Sequence, residues 1–127
     1  MIIGTGIDIV EIARFRKVHA RTGERLLNRV FTPEEQRFCL ARHDPAPHLA
    51  VRFAAKEAVF KALGTGWAKG VTWLDVEVLR LEYNAPTITL HGTAQKTAVV
   101  KGVGRIHLSL THTDSYAAAT AILEQVT

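Results

Sequence analysis

The stretch His48-Leu49-Ala50-Val51-Arg52-Phe53-Ala54-Ala55-Lys56-Glu57-Ala58-Val59-Phe60-Lys61-Ala62-Leu63-Gly64 decides the reading of this chain. On a helix, Leu49, Phe53, Phe60 and Leu63 share one stripe, and Ala50, Ala54, Ala55, Ala58 and Ala62 fill most of the rest. The pattern predicts a helix over 48–63, stopped by Gly64. Its only charges are Arg52, Lys56, Glu57 and Lys61, so it must be covered on most sides. Lys56 falls inside the apolar stripe, and Glu57 and Lys61 are neighbours one turn apart. The plainer account is a snorkelling lysine beside a surface Glu57–Lys61 pair. The alternative is a bound ligand that compensates these charges, since burying them unpaired is costly.

Working outward, residues 2–10 alternate and predict a strand. Ile3, Ile7 and Ile9 lie on one face, Gly4, Gly6, Asp8 and Val10 on the other. Glycine inside a strand marks close approach of a ligand or another backbone. Asp8 either bonds a nearby turn or helix N-terminus, or serves as a hard-cation ligand. Two carboxylates from separate elements, with positions left for water and phosphate, are a common way to hold Mg²⁺. Asp8 and Glu57 are the candidate pair.

Residues 11–30 read as Arg-rich helix divided at Gly23. Thr32-Pro33-Glu34-Glu35 is a capped helix start running to about Arg42, and the prolines of 43–47 predict a loop. After the glycine-containing loop 64–70, strands are expected over 74–83 and 87–91, joined by a turn at Asn84-Ala85-Pro86. A short helix over 93–101 and strands over 105–111 and 116–123 complete the chain, with a turn at 113–115. The order implies an α+β fold, an antiparallel sheet with a long packed helix and shorter helices.

The 127 residues suit one domain, 1–127, able to bury a core without disulfides. Cys39 is the only cysteine, which excludes an internal disulfide and fits a reducing cytoplasm. Neither a signal peptide nor an apolar run long enough to span a bilayer is visible, so no membrane role is expected. The net charge of +4 reads either as plain solubility charge or as complementarity to an anionic partner. Nucleic acid fits poorly, because no aromatic-basic alternation suited to base stacking is present.

Three further features are weak singly. His112 ends the alternating strand, where it is either a core or edge histidine or a residue the sheet presents to a ligand or subunit. Gly64-Thr65-Gly66 follows a helix end, where backbone N–H groups can wrap a phosphate. Arg14, Arg16, Lys17, Arg21, Arg25 and Arg29 form a basic run that reads as a solvated face or a docking surface.

Taken together, Gly6-Ile7-Asp8-Ile9-Val10-Glu11 and Arg52-Phe53-Ala54-Ala55-Lys56-Glu57-Ala58-Val59-Phe60-Lys61-Ala62 resemble the two motifs of the 4′-phosphopantetheinyl transferase superfamily. The spacing of Asp8 and Glu57, Phe31-Thr32-Pro33-Glu34-Glu35 and Leu108-Ser109-Leu110-Thr111-His112-Thr113 are similar to its short bacterial carrier-protein synthase branch. The resemblance covers nearly the whole chain. It implies a homotrimer with active sites between subunits, and Mg²⁺ on Asp8 and Glu57. Coenzyme A is the implied substrate, contacted by Arg52, Lys56, Lys61, Gly64, Gly66 and His112, with Lys61 beside the leaving phosphate. Arg14, Arg21 and Arg25 are implied to receive an acidic apo acyl carrier protein. The implied base for the carrier serine is Glu57 or a water held by the metal. In one departure, Ala85 stands where similar proteins often place a basic residue before proline, which removes a possible contact to ligand or neighbour.

Overall fold

The computed structural model describes residues 1–65, 70–80 and 85–126. Ten helices and strands follow in order: β1 (Ile2–Glu11), α1 (Ile12–Thr22), α2 (Glu24–Val30), α3 (Pro33–Leu40), α4 (Pro45–Leu63), β2 (Val76–Leu79), β3 (Thr87–Leu90), α5 (Gly92–Lys101), β4 (Val103–His112) and β5 (Tyr116–Gln125). A 3₁₀ turn over Trp73–Asp75 leads into β2. The expected α+β architecture is observed, with its strands divided between two antiparallel sheets, β1-β5-β4 and β2-β3. Gly66 and the tip of the expected 84–86 turn, Asn84, lie outside the described residues, as does the expected end of a strand at 81–83.

The long helix lies on the face of the three-stranded sheet built from small residues. Gly4 and Gly6 of β1 and Ala117, Ala119 and Ala121 of β5 face the alanines of α4. A Cβ on Gly6 would overlap the carbonyl oxygen of Ala58, and one on Gly4 that of Ala62. The glycines therefore admit another backbone rather than a ligand. Gly6→Ala is expected to cost about 1–3 kcal/mol of stability, as overpacking does, measured as a lower urea midpoint. An unchanged midpoint would mean that α4 can back away without loss.

This close approach decides which face of β1 points inward. The isoleucines of β1 look outward, with Ile7 66% and Ile9 65% exposed. One cluster of buried side chains surrounds the C-terminal half of α4, including Val59, Phe60, Leu63, Val76 and Leu123. A second joins α1, α2 and α3 to its N-terminal half through Ile12, Phe15, Phe31, Cys39 and Leu49.

Two element starts differ from expectation in a way that has a physical reason or moves the strand. The prolines at 45 and 47 do not make a loop; they open α4, with Asp44 at its N-cap. Proline is tolerated in the first turn because the N–H groups there have no intrahelical acceptor. The strand expected from residue 74 begins at Val76, after the 3₁₀ turn. The predicted capping box is present: Thr32 accepts from the Glu35 N–H, and Glu35 accepts from the Thr32 N–H. Among the described residues, no helix is long and apolar enough to cross a membrane.

Candidate active site

Asp8 reaches the site from β1 because Gly6 lets that strand lie against α4, which carries Glu57 and Lys61. Lys61 Nζ donates to Asp8 Oδ1 at 3.0 Å and to the Ile7 carbonyl at 2.9 Å. The ion pair therefore joins Lys61 to Asp8, not to Glu57 as the helical spacing alone had indicated. Asp8 is only 18% exposed and Lys61 54%. Glu57 accepts a hydrogen bond from Trp73 Nε1 at 3.0 Å.

Burial raises the Glu57 carboxyl above the usual carboxylate range. The Trp73 bond opposes that rise, the Asp8 charge adds to it, and Lys61 opposes it. Glu57 thus senses the Asp8 charge across the groove. Both line one open groove of ≈ 470 Å³, with Arg14 at its side and Phe15, Val18 and Phe53 among its apolar walls.

Asp8 and Glu57 give this groove two hard oxygen donors, the kind of ligand that Mg²⁺ takes. Among the described residues no group of three or more His, Cys, Asp or Glu side chains stands together. A two-carboxylate set leaves most of an octahedral shell to water and substrate oxygens, which is the habit of Mg²⁺ rather than of zinc.

A second cavity, of ≈ 330 Å³, is lined by Arg42, Arg52, Arg80, His48 and His112 and by no carboxylate. Arg52 is 3% exposed and lies over the Phe38 ring at 4.3 Å. Its Nη1 donates to the His48 carbonyl at 3.3 Å, while its Nε has no partner among the described residues. The His48 and His112 rings are 6.1 Å apart. Burial, then the charges of Arg52, His112 and Arg42, hold the His48 imidazole below its ordinary value. Arg52 is buried here while Arg42, Arg80 and His112 are exposed, so positive charge gathers around this cavity with one donor unpaired. Of the residues lining this cavity, sequence reading named Arg52 and His112 and not Arg42, Arg80 or His48. Only His48, one turn before Arg52 on the same helix, carried a local signal.

Lys56 corrects the expectation of a ligand contact and also that of a snorkelling side chain. It is fully buried, and its ammonium donates to Glu35 Oε1 at 2.7 Å, to the Trp73 carbonyl at 3.0 Å and to the Val76 carbonyl at 2.5 Å. All three of its protons are used, so none is left for a phosphate. Gly64 adopts the left-handed conformation, φ 73°, that ends α4. Its N–H is bonded to the carbonyls of Phe60 and Lys61 and so is not available to a phosphate either. The adjacent Thr65 is buried with a hydroxyl lacking a partner among the described residues, a donor that sequence reading overlooked.

The basic run divides in the same way. Arg16 pairs with Asp44 at 2.5 Å, and Arg29 lies over the Trp73 ring at 5.7 Å. Arg14, Arg21 and Arg25 are exposed and make no ion pair among the described residues.

Residues 4–121 match the model of the 4′-phosphopantetheinyl transferase superfamily. The chain is 49% identical over 124 residues to the holo-[acyl-carrier-protein] synthase of Koribacter versatilis, covering 98% of this chain and 99% of that one. It is 50% identical over 119 residues to that of Moorella thermoacetica, covering 94% and 91%. Among solved structures, the synthase of Neisseria meningitidis superposes with a TM-score of 0.89 at 32% identity, covering 98% of this chain and 100% of that one. The Helicobacter pylori synthase in complex with coenzyme A gives 0.82 at 32% identity, covering 94% and 99%.

Proposed function

The chain belongs to the 4′-phosphopantetheinyl transferase superfamily, and we propose that it acts as a holo-[acyl-carrier-protein] synthase, moving 4′-phosphopantetheine from coenzyme A to a serine of an apo acyl carrier protein. The observation that carries this reading is the groove shared by Asp8 and Glu57, with Lys61 bound to Asp8. In the reaction the serine oxygen bonds to the β-phosphorus of coenzyme A. The bond from that phosphorus to the bridging oxygen breaks, and adenosine 3′,5′-bisphosphate leaves with the bridging oxygen and the electron pair. The serine proton passes to a base.

Asp8 and Glu57 would hold Mg²⁺, which when bound supplies Lewis-acid polarisation of the pyrophosphate and neutralises its charge. Lys61, more than half exposed, is the cation assigned to the leaving phosphate. Arg52 and His112, which line the basic cavity, are assigned to a further coenzyme A phosphate.

The finer parts of the proposal have separate support. A homotrimer is favoured by the outward isoleucines of β1, because an apolar edge strand in water invites a partner. Carrier docking is assigned to Arg14, Arg21 and Arg25, whose exposed charge complements an acidic protein. Reversing Arg14 and Arg21 to Glu is expected to weaken carrier binding at low salt at least tenfold and to flatten its salt dependence. Fluorescence anisotropy of a labelled carrier measures both, and unchanged affinity would move the docking surface elsewhere. A cytoplasmic role in fatty acid synthesis completes the proposal.

Intact-mass spectrometry tests the whole reading. Apo acyl carrier protein incubated with this protein, coenzyme A and Mg²⁺ is expected to gain one phosphopantetheine mass, and a chelator is expected to prevent the gain. No gain with several carriers would refute the transferase reading.

A further inference from the structure

Resting on the reading of Asp8 and Glu57 as a metal pair, we propose that Trp73 is a positioning residue for Glu57, and that Lys56 acts through Trp73 rather than on the substrate. Lys56 and Glu57 are consecutive on α4 and therefore point in different directions. Lys56 enters the interior beneath the 3₁₀ turn, and Glu57 enters the groove. The Lys56 ammonium holds the carbonyls of Trp73 and Val76, the first residue of the turn and the one that follows it. It is itself held by Glu35, whose Oε1 also accepts from the Thr32 N–H at 2.9 Å and whose Oε2 accepts from the Val78 N–H at 2.8 Å.

The backbone of Trp73 is thus tied to the helix one residue before Glu57. Its ring packs against Phe53 with centroids 5.9 Å apart and lies beneath the Arg29 guanidinium. From that position the indole N–H donates to Glu57 Oε1. No hydrogen bond among the described residues engages Oε2, which leaves one oxygen of a fixed carboxylate for a cation. A donor that orients a metal-binding side chain in this way sets the entropy and geometry of metal capture. Lys56 consequently sits beside Glu57 in the sequence without sharing its chemistry.

Trp73→Phe keeps the ring packing and removes only the N–H. The test is Mn²⁺ titration in the presence of saturating coenzyme A, with free Mn²⁺ read by electron paramagnetic resonance. Asp8→Asn and Glu57→Gln serve as controls, and thermal unfolding of every variant checks the fold. The expected result is an Mn²⁺ affinity about 10- to 100-fold weaker in Trp73→Phe, with a melting temperature near that of the parent and a lower kcat at little changed KM for coenzyme A. Should Trp73→Phe unfold, the sulfur isostere β-(3-benzothienyl)alanine at position 73 keeps the indole shape without the donor, and the same loss is expected. Parental Mn²⁺ affinity in the Trp73 variants, with loss in Glu57→Gln, overturns the positioning role and leaves the metal pair intact. Parental affinity in both Asp8→Asn and Glu57→Gln overturns the metal pair, and the inference falls with it.

Discussion

Asp8→Ala and Glu57→Ala are each expected to lower turnover of apo carrier protein by about 10³-fold or more, the rate equivalent of losing several kcal/mol of transition-state charge stabilisation. Both variants are expected to fold. Asp8 lies in a groove and its ion partner Lys61 is half exposed, so that pair adds little to stability. Glu57 is half-buried, and burial already disfavours its charge, so removing it relieves a cost. Intact-mass turnover assays beside thermal unfolding measure both halves of the claim. Normal turnover by the purified variants would remove these residues from the chemistry.

The same pair makes a pH prediction. A carboxylate binds a cation only when ionised, and burial together with the Asp8 charge raises the Glu57 value. As pH falls, Glu57 therefore takes up its proton earlier than an ordinary glutamate. The Mg²⁺ concentration for half-maximal rate is expected to rise on the acid side, starting above the usual carboxylate range. A requirement flat down to that range would show that Glu57 does not compete between proton and metal.

Lys56→Met is expected to cost about 3–5 kcal/mol of stability, because Glu35 is left as an uncompensated charge in the interior. That corresponds to a fall in melting temperature of roughly 10–20 °C for a chain of this size. The carbonyls of Trp73 and Val76 lose their donor in the same step. Adding Glu35→Gln removes the stranded charge and keeps one amide oxygen, which can accept from the Thr32 N–H or the Val78 N–H but not from both. The double variant is expected to be more stable than the sum of the single losses predicts. Strict additivity in urea unfolding would mean that the two side chains do not depend on one another. The pair is not an economical source of stability, since apolar residues of similar volume often serve as well. What it provides is a fixed relation between the start of α3, the middle of α4 and the turn before β2.

Much of the fold that carries the candidate site was legible because its signals are local. The alanine and aromatic pattern of α4, the capping box at Thr32 and Glu35, and the alternation of β1 each depend on neighbours a few residues away. The glycines before Asp8 correctly announced a close approach, but not of what: the approaching group is the α4 backbone. The basic cavity was only partly legible, since Arg42, Arg80 and His112 come from separate parts of the chain and no spacing relates them.

By itself the sequence determined most of the elements and singled out Asp8, Glu57 and Lys61 as candidates, because helix periodicity, capping and strand alternation are short-range properties of the covalent chain. Tertiary structure alone decided which charge does what. Lys56 and Lys61 have the same chemistry and share one helix, yet one is sealed against Glu35 and the other reaches Asp8 at the surface. The outward turn of Ile7 and Ile9 was decided in the same way, by Gly6 admitting α4 on the opposite face. The physical reason is that the cost of a charge, or of an exposed apolar side chain, depends on the solvent and partners around it, and those come from residues far away in the chain.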